Sequence, residues 1–313
     1  MKIAITGSSG AIGKLLIPIL EATGNEIIKF VRREPKNDRE AYWNPSKRTI
    51  DMDVFQKVDA IIHLAGEPIA PLSILGFLPF SGQRWNKEKR NNIYWSRKLA
   101  AETFIEAYRN SDHYPKVFIS ASAVGIYGNQ EDRIIDEDSS YIRGTFDQYV
   151  AEEGCEKSLE ELKVFNVRLV FARTGIVLGP TMPIVEILKF VWNLNIGGSV
   201  GGGNQYWPWV AIEDVLDGYL FSLKNKQIKG PVNLVSPTPI KQKDFSKLLA
   251  QEMKKIAILP IPAFVIKLAI GRELAEALVL SSRRVLPSKL LRYGYEFKQE
   301  YLNDYIKEII DHE

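Results

Sequence analysis

Lys2-Ile-Ala-Ile-Thr6, then Gly7-Ser-Ser-Gly-Ala-Ile-Gly13, then Leu15, Leu16, Ile19 and Leu20 form the stretch that decides the fold. A short apolar run with β-branched residues reads as a buried strand, and the helical spacing after it reads as an amphipathic helix. Each of the three glycines between them has a physical reason. Gly7 can take the backbone angles of a tight turn. Gly10 has no side chain to block a pyrophosphate, and Gly13 lets the helix pack close on the strand. The free N–H groups at the helix start, with the helix dipole, favour an anion there. Thr6, Ser9, Ala11 and Ile12 complete this candidate dinucleotide cradle. A glycine-rich segment also fits an ordinary turn, but its place directly after a strand and before a helix favours the dinucleotide reading.

Working outward, strands and helical patterns alternate. Strands are expected at 27–31, 48–52, 59–65, 116–121 and 165–170, with Tyr42-Trp-Asn-Pro45 in a connection. Such alternation implies right-handed crossovers and a parallel sheet covered on both faces. After about residue 178 the texture changes. Residues 197–203 are glycine-dense, and helical periods follow at 240–253, 263–280 and 302–310. The expected class is α/β: a doubly wound parallel-sheet Rossmann fold with a small, mainly helical C-terminal lobe. Residues 1–178 plus 209–235 would form the dinucleotide domain, and 179–208 plus 236–313 the substrate lobe.

The totals narrow the function. The chain has 313 residues, 45% hydrophobic and 25% charged, with a net charge of +3. That charge is too small to argue for nucleic acid or membrane as a partner. A single cysteine, Cys155, excludes an internal disulfide and cysteine-rich metal sites and fits a reducing compartment. No metal site is expected. The first strand begins at residue 2, so no signal peptide is expected, and the longest apolar stretch, 256–271, is broken by prolines and Lys267. These features predict a cytoplasmic protein. Residues 71–82 (PLSILGFLPFSG) are apolar without a clear period. They read either as a loop packed on the body or as a substrate lid or partner contact.

The second strand ends in Val31-Arg32-Arg33. NAD-binding folds usually place Asp or Glu here for the ribose hydroxyls, whereas a 2′-phosphate calls for arginine. Arg32 and Arg33 therefore predict NADP(H), with Glu34 keeping NAD open. His63-Leu-Ala-Gly-Glu67 closes a buried strand. Leu64, Ala65, Gly66 and Glu67 are expected beside the cofactor, and His63 as a core histidine with a satisfied hydrogen bond. Residues 120–128 (SASAVGIYG) follow another buried strand, where a serine can reach a substrate carbonyl.

Together, Thr6 to Gly13, His63 to Gly66 and Ser120 to Gly128 resemble the extended short-chain dehydrogenase/reductase superfamily, which holds nucleotide-sugar epimerases and dehydratases. Arg84-Trp85, Ser96-Arg97, Arg173 to Gly179, Trp209 to Asp214, Pro260 to Phe264, Arg284 to Pro287 and Gly294 to Phe297 are similar to its "epimerase family protein" branch. The resemblance spans nearly the whole chain. It implies NADP(H) as cofactor, a small-molecule substrate and a homodimer.

The superfamily's catalytic pair is a tyrosine with a lysine four residues later, and this chain departs from it. Tyr149 stands at a suitable distance after Ser122, but Glu153 follows it; Tyr141 is followed by Thr145 and Tyr127 by Glu131. An unassisted tyrosine titrates near pH ~10, roughly 4 kcal/mol short of a ready base at neutrality. Lys157, one turn beyond Glu153, is a substitute cation or a solvated lysine.

The expected catalytic residues are therefore Ser122 and Tyr149, with Trp207, Trp209 and Arg283 facing the substrate. Two functions fit: an NADP(H)-dependent oxidoreductase or epimerase acting on a carbonyl or sugar-like molecule, and a catalytically impaired NADPH-binding sensor.

Overall fold

The computed structural model describes residues 1–70, 85–255 and 260–311. The apolar segment 71–82, with Arg84 and His312, lies outside the described residues.

The strands are β1 (Lys2–Thr6), β2 (Glu26–Val31), β3 (Glu40–Asn44), β4 (Thr49–Ile50), β5 (Ala60–His63), β6 (Val117–Ala123), β7 (Ile134–Ile135), β8 (Arg168–Thr174), β9 (Ile176–Leu178), β10 (Tyr206–Trp207), β11 (Trp209–Ala211), β12 (Gly230–Leu234), β13 (Ile240–Lys241) and β14 (Arg284–Val285). Eight of them form one sheet in the order β12-β8-β6-β5-β1-β2-β3-β4. Every neighbouring pair is parallel except β3 with β4. The chain starts in the middle at β1, runs out through β2 and β3, and crosses back to β5 on the other side of β1. Loops leaving β1 and β5 therefore diverge, and the crevice opens at their carboxyl ends.

Alternation along β1 sends Ile3 and Ile5 to one face and Ala4 to the other. The first face is covered by the helices Ala11–Ala22, through Leu16 and Leu20, and Ile212–Lys224, through Val215 and Tyr219. The second packs on Phe104 and Tyr108 of the helix Lys87–Arg109. Burying each of these side chains contributes about 1.5–3 kcal/mol, before the entropy of ordering them.

The smaller, helical C-terminal region is not a separate ball. Phe245, Leu249, Tyr305 and Ile309 share one core cluster with Ile3 and Val170 of the sheet. Two polar ties reinforce this. β14 pairs with β7, Arg284 opposite Ile134. Asp214 accepts hydrogen bonds from the backbone N–H of Lys298 at 2.8 Å and of Gln299 at 3.0 Å.

Three local expectations need correction. The third strand is Glu40–Asn44, where Ala41 and Trp43 alternate inward and Pro45 only ends the strand, and the strand expected at 48–52 is the shorter Thr49–Ile50, antiparallel to it. Arg48 instead takes a left-handed turn conformation, φ 50°. The strand expected at 165–170 begins at Arg168, because Asn166 turns left-handed, φ 53°. The helical run 263–280 is interrupted at Gly271, φ 92°, which ends the helix Ala263–Ile270.

Candidate functional site: a dinucleotide crevice and a cavity beside it

At the carboxyl end of β1 the glycines have separate jobs. Gly7 has φ 71°, and a Cβ there would lie 2.8 Å from the backbone of Leu64 and Ala65. A Cβ on Gly13 would lie 2.4 Å from the Gly7 carbonyl oxygen. Both positions are closed by protein backbone. Gly10 differs: it is exposed, and a Cβ there would meet only the Gly7 oxygen at 3.2 Å. Ser9, Gly10 and Ala11 lie exposed at the start of the helix Ala11–Ala22, while Ile12 is half-buried. This is a cradle that a side chain at residue 10 would fill, and it fits a pyrophosphate.

Thr6 ties β1 to β5. Its hydroxyl shares a hydrogen bond with His63 Nδ1 at 2.7 Å and accepts from the Ala65 N–H at 3.2 Å. His63 is buried against the rings of Trp43, Phe104 and Phe118. Burial, with the Arg97 cation adding to it, pushes its pKa down to about 3, so the ring is neutral. It is the satisfied core histidine that the sequence suggests.

The two arginines after β2 part company. Arg33 makes a fork on Glu40, 2.7 and 2.6 Å, and also donates to the Glu34 carbonyl. Arg32 is exposed and has no partner among the described residues.

Leu64, Ala65 and Gly66 line the crevice, across from Ser120 to Ala123. Glu67 does not: its carboxylate takes Lys89 Nζ at 2.6 Å. The one charged side chain lining the crevice among the described residues is Arg97, which sequence reasoning used only as part of a motif. Its guanidinium would stand 3.1 Å from a Cβ on Gly66 and is anchored on the carbonyls of Glu67 and Ile93 at 3.0 and 2.8 Å. A signal existed: Arg97 lies on an otherwise amphipathic helix, four residues after the buried Ile93.

Ser122 also lines the crevice, with its hydroxyl donating to Glu156 Oε1 at 2.8 Å. Glu156 in turn holds Arg173 by two bonds, 2.8 and 2.7 Å, both residues being buried. Arg173 donates to the hydroxyls of Tyr127 and Tyr141 at 2.9 and 2.6 Å. Burial raises the pKa of both tyrosines despite that cation, so neither is a ready base.

The structure does not bring Tyr149 to Ser122. Tyr149 is 45% exposed, stacks on Tyr94 and lines a different cleft with Arg90 and Glu273. The chain here winds as a π-helix over Val150–Glu156, a local widening often found at functional sites. The residues it turns to the crevice are Val150, Ala151, Gly154 and Cys155. Burial pushes the Cys155 thiol up to about 11, partly offset by Arg97. Lys157 is a surface residue paired with Glu152 and Glu153.

A second cavity, of about 200 Å³, adjoins the crevice and shares Ala123 and Ile69 with it. Trp207 and Arg283 line it, as does Asp147, which sequence reasoning passed over. Trp209 does not: it is 1% exposed, stacks on Tyr305 and donates to the Thr238 carbonyl. It supports the wall from within the core.

The sequence profile of the NAD dependent epimerase/dehydratase family matches residues 3–234. The chain belongs to that family. A domain of unknown function, DUF1731, matches residues 261–309 of this family member. Among its relatives is an epimerase family protein of Mycobacterium leprae, ML0860, 30% identical over 302 residues, covering 96% of this chain and 93% of that one. The human epimerase family protein SDR39U1, solved with NADPH, superposes with a TM-score of 0.84 at 25% identity over 99% of both chains. The Thermus thermophilus UDP-glucose 4-epimerase, solved with NAD, gives a TM-score of 0.70 at 18% identity, covering 100% of this chain and 98% of that one, which shows the fold alone. Membership makes this an NAD(P)-binding protein of the epimerase/dehydratase type. No helix among the described residues is long and apolar enough to cross a membrane.

Proposed function

We propose that this family member is an NADP(H)-dependent oxidoreductase or epimerase acting on a small carbonyl or sugar-like molecule. The observation that carries the cofactor choice is the division of labour after β2. Arg33 is spent on Glu40, while Arg32 stands exposed and without a partner among the described residues. A free guanidinium at the end of the second strand suits a 2′-phosphate and offers a ribose diol nothing special. Gly7, Gly10, Gly13 and the head of the following helix would hold the pyrophosphate. Leu64 to Gly66, Arg97 and Ser122 would border the nicotinamide half, where the bound cofactor supplies hydride chemistry. The Ser122 hydroxyl donates its one hydrogen bond to Glu156, so toward a ligand it offers lone pairs. A cytoplasmic setting belongs to the same proposal.

The test is a parallel titration of NADPH, NADP⁺ and NADH, read by tryptophan fluorescence, on the unaltered protein and on Arg32→Ala. The expected result is a large preference for NADPH over NADH that the variant loses, by about tenfold or more in NADPH affinity. Equal affinities in the unaltered protein would overturn the NADP(H) assignment.

One observation favours a second reading, an NADPH-binding sensor: the crevice side of the helical segment carries Val150, Ala151, Gly154 and Cys155, not a tyrosine–lysine pair. Turnover in a metabolite extract separates the two: an oxidoreductase oxidises NADPH on carbonyl compounds, an epimerase interconverts epimers with no net loss of NADPH, and a sensor does neither.

A further inference from the structure

The cavity of about 200 Å³ beside the crevice is walled mainly by carbon. Ile69, Val124, Ile176, Trp207 and Leu278 supply most of that surface among the described residues. The Trp207 indole has one N–H, and it donates to the Val279 carbonyl at 3.0 Å, so the ring meets the cavity with carbon. The two hydroxyls among the lining residues also donate to protein: Thr174 to the Ala172 carbonyl and Ser281 to the Glu276 carbonyl. Arg283 and Asp147 bond each other at 2.7 Å, and both are more than nine-tenths buried. The open side is fixed by the chain. Ala123 and Ile69 border both the cavity and the crevice, and Ser122, beside Ala123, lines the crevice.

We propose that this cavity receives the apolar body of a small carbonyl compound, one ring with a short substituent, and leaves its carbonyl at the crevice. The inference rests on the proposed function, which puts the nicotinamide end of the cofactor in the crevice, and it names the substrate class. Size is the first argument. An apolar cavity of about 150 Å³ holds benzene. The cavity here has room for such a ring and a short chain, whereas a nucleoside diphosphate sugar adds a base, two phosphates and a second sugar. The walls are the second argument. A hexose is close to a single ring in size, but it would press several hydroxyls against Ile69, Val124, Ile176 and Leu278, and each hydroxyl stripped of water without a partner costs free energy. An apolar ring gains from the same contacts, in proportion to the area it hides from water. A mainly apolar pocket next to a cofactor crevice is the usual form of a small-molecule site. Between a carbonyl compound with an apolar body and a sugar, the cavity therefore selects the first.

The test titrates three probes into the whole protein by calorimetry, with and without NADP⁺, which cannot reduce a ketone. Acetophenone is the ketone with an apolar ring, dihydroxyacetone a polar ketone, and UDP-glucose a nucleotide sugar. Acetophenone is expected to bind saturably and at least about tenfold more tightly than either of the others. Leu278→Trp and Ile176→Trp each add bulk to the cavity from a different element, and each should abolish acetophenone binding. UDP-glucose or dihydroxyacetone binding as tightly as acetophenone would overturn the inference, as would no acetophenone binding or acetophenone binding that survives in both folded variants. The comparison of probes on the unaltered protein stands even if a variant unfolds. NADPH titrated in parallel keeps the two readings apart. Acetophenone binding without NADPH binding sinks the proposed function, and NADPH binding with no preference among the probes sinks this inference alone.

Discussion

The Ser122 hydroxyl donates to Glu156 Oε1 at 2.8 Å, and Arg173 Nε donates to the same oxygen at the same distance. A serine on the crevice wall is thus fixed by a buried ion pair that also clamps two tyrosines. Glu156→Gln should destabilise the protein by about 3–5 kcal/mol, because it leaves the buried Arg173 charge without its counter-ion. Ser122→Ala should cost less than about 1.5 kcal/mol in urea unfolding, since the ion pair remains. If Ser122 contacts the reacting molecule, that same variant should still bind NADPH while oxidising it at least about tenfold more slowly in extract.

The glycines should separate stability from binding. Gly13→Ala places a Cβ 2.4 Å from the Gly7 carbonyl oxygen, so backbone must move. We expect a loss of about 1–3 kcal/mol in thermal or urea unfolding. Gly10→Val has open space beyond one oxygen at 3.2 Å. It should melt close to the unaltered protein and lose most of its affinity for NADPH. Equal effects of both variants on melting would contradict the cradle.

Arg97 predicts a cofactor phenotype of its own. Among the described residues it is the one charged side chain lining the crevice, and no lysine lines it. Arg97→Met should weaken NADPH and NADH alike, by about tenfold, and leave their ratio intact. Arg32→Ala should instead change the ratio. A change of ratio in Arg97→Met would place the 2′-phosphate near Arg97 and not at the end of β2.

His63 sets an acid limit. Burial holds its pKa at about 3 in the folded protein, against 6.5 ordinarily. Between those values the unfolded chain binds a proton that the folded one does not, so stability falls as pH drops through that window. One such proton contributes a slope of about 1.4 kcal/mol per pH unit. Urea unfolding between about pH 6 and pH 4 should show His63→Gln with a shallower slope than the unaltered protein. Equal slopes would mean that carboxylates alone govern acid unfolding.

Local patterning is what the sequence determined by itself. The β1 alternation, the glycine turn and the run of strands separated by helices each follow from short-range sterics and periodicity. They were enough for the doubly wound sheet, the switch-point crevice and the cradle at Gly10. The same reading could see that no tyrosine in 127–149 has its lysine, because that is a matter of spacing. What it could not see is which way side chains turn once long-range packing is paid for. Glu40–Asn44 is a strand because a neighbouring strand and two buried side chains make it one, despite Pro45. Tyr149 turns to an outer cleft because the widened helix after it shifts the facing positions by part of a turn. Arg32 and Arg33 look equivalent as letters, and only the position of Glu40 separates them. Arg283 and Asp147 lie far apart in the chain, and only the docking of the C-terminal region pairs them. Sequence decides what can be formed locally; which charges are spent and which are left to meet a ligand depends on partners that only the folded chain brings within about 3 Å of each other.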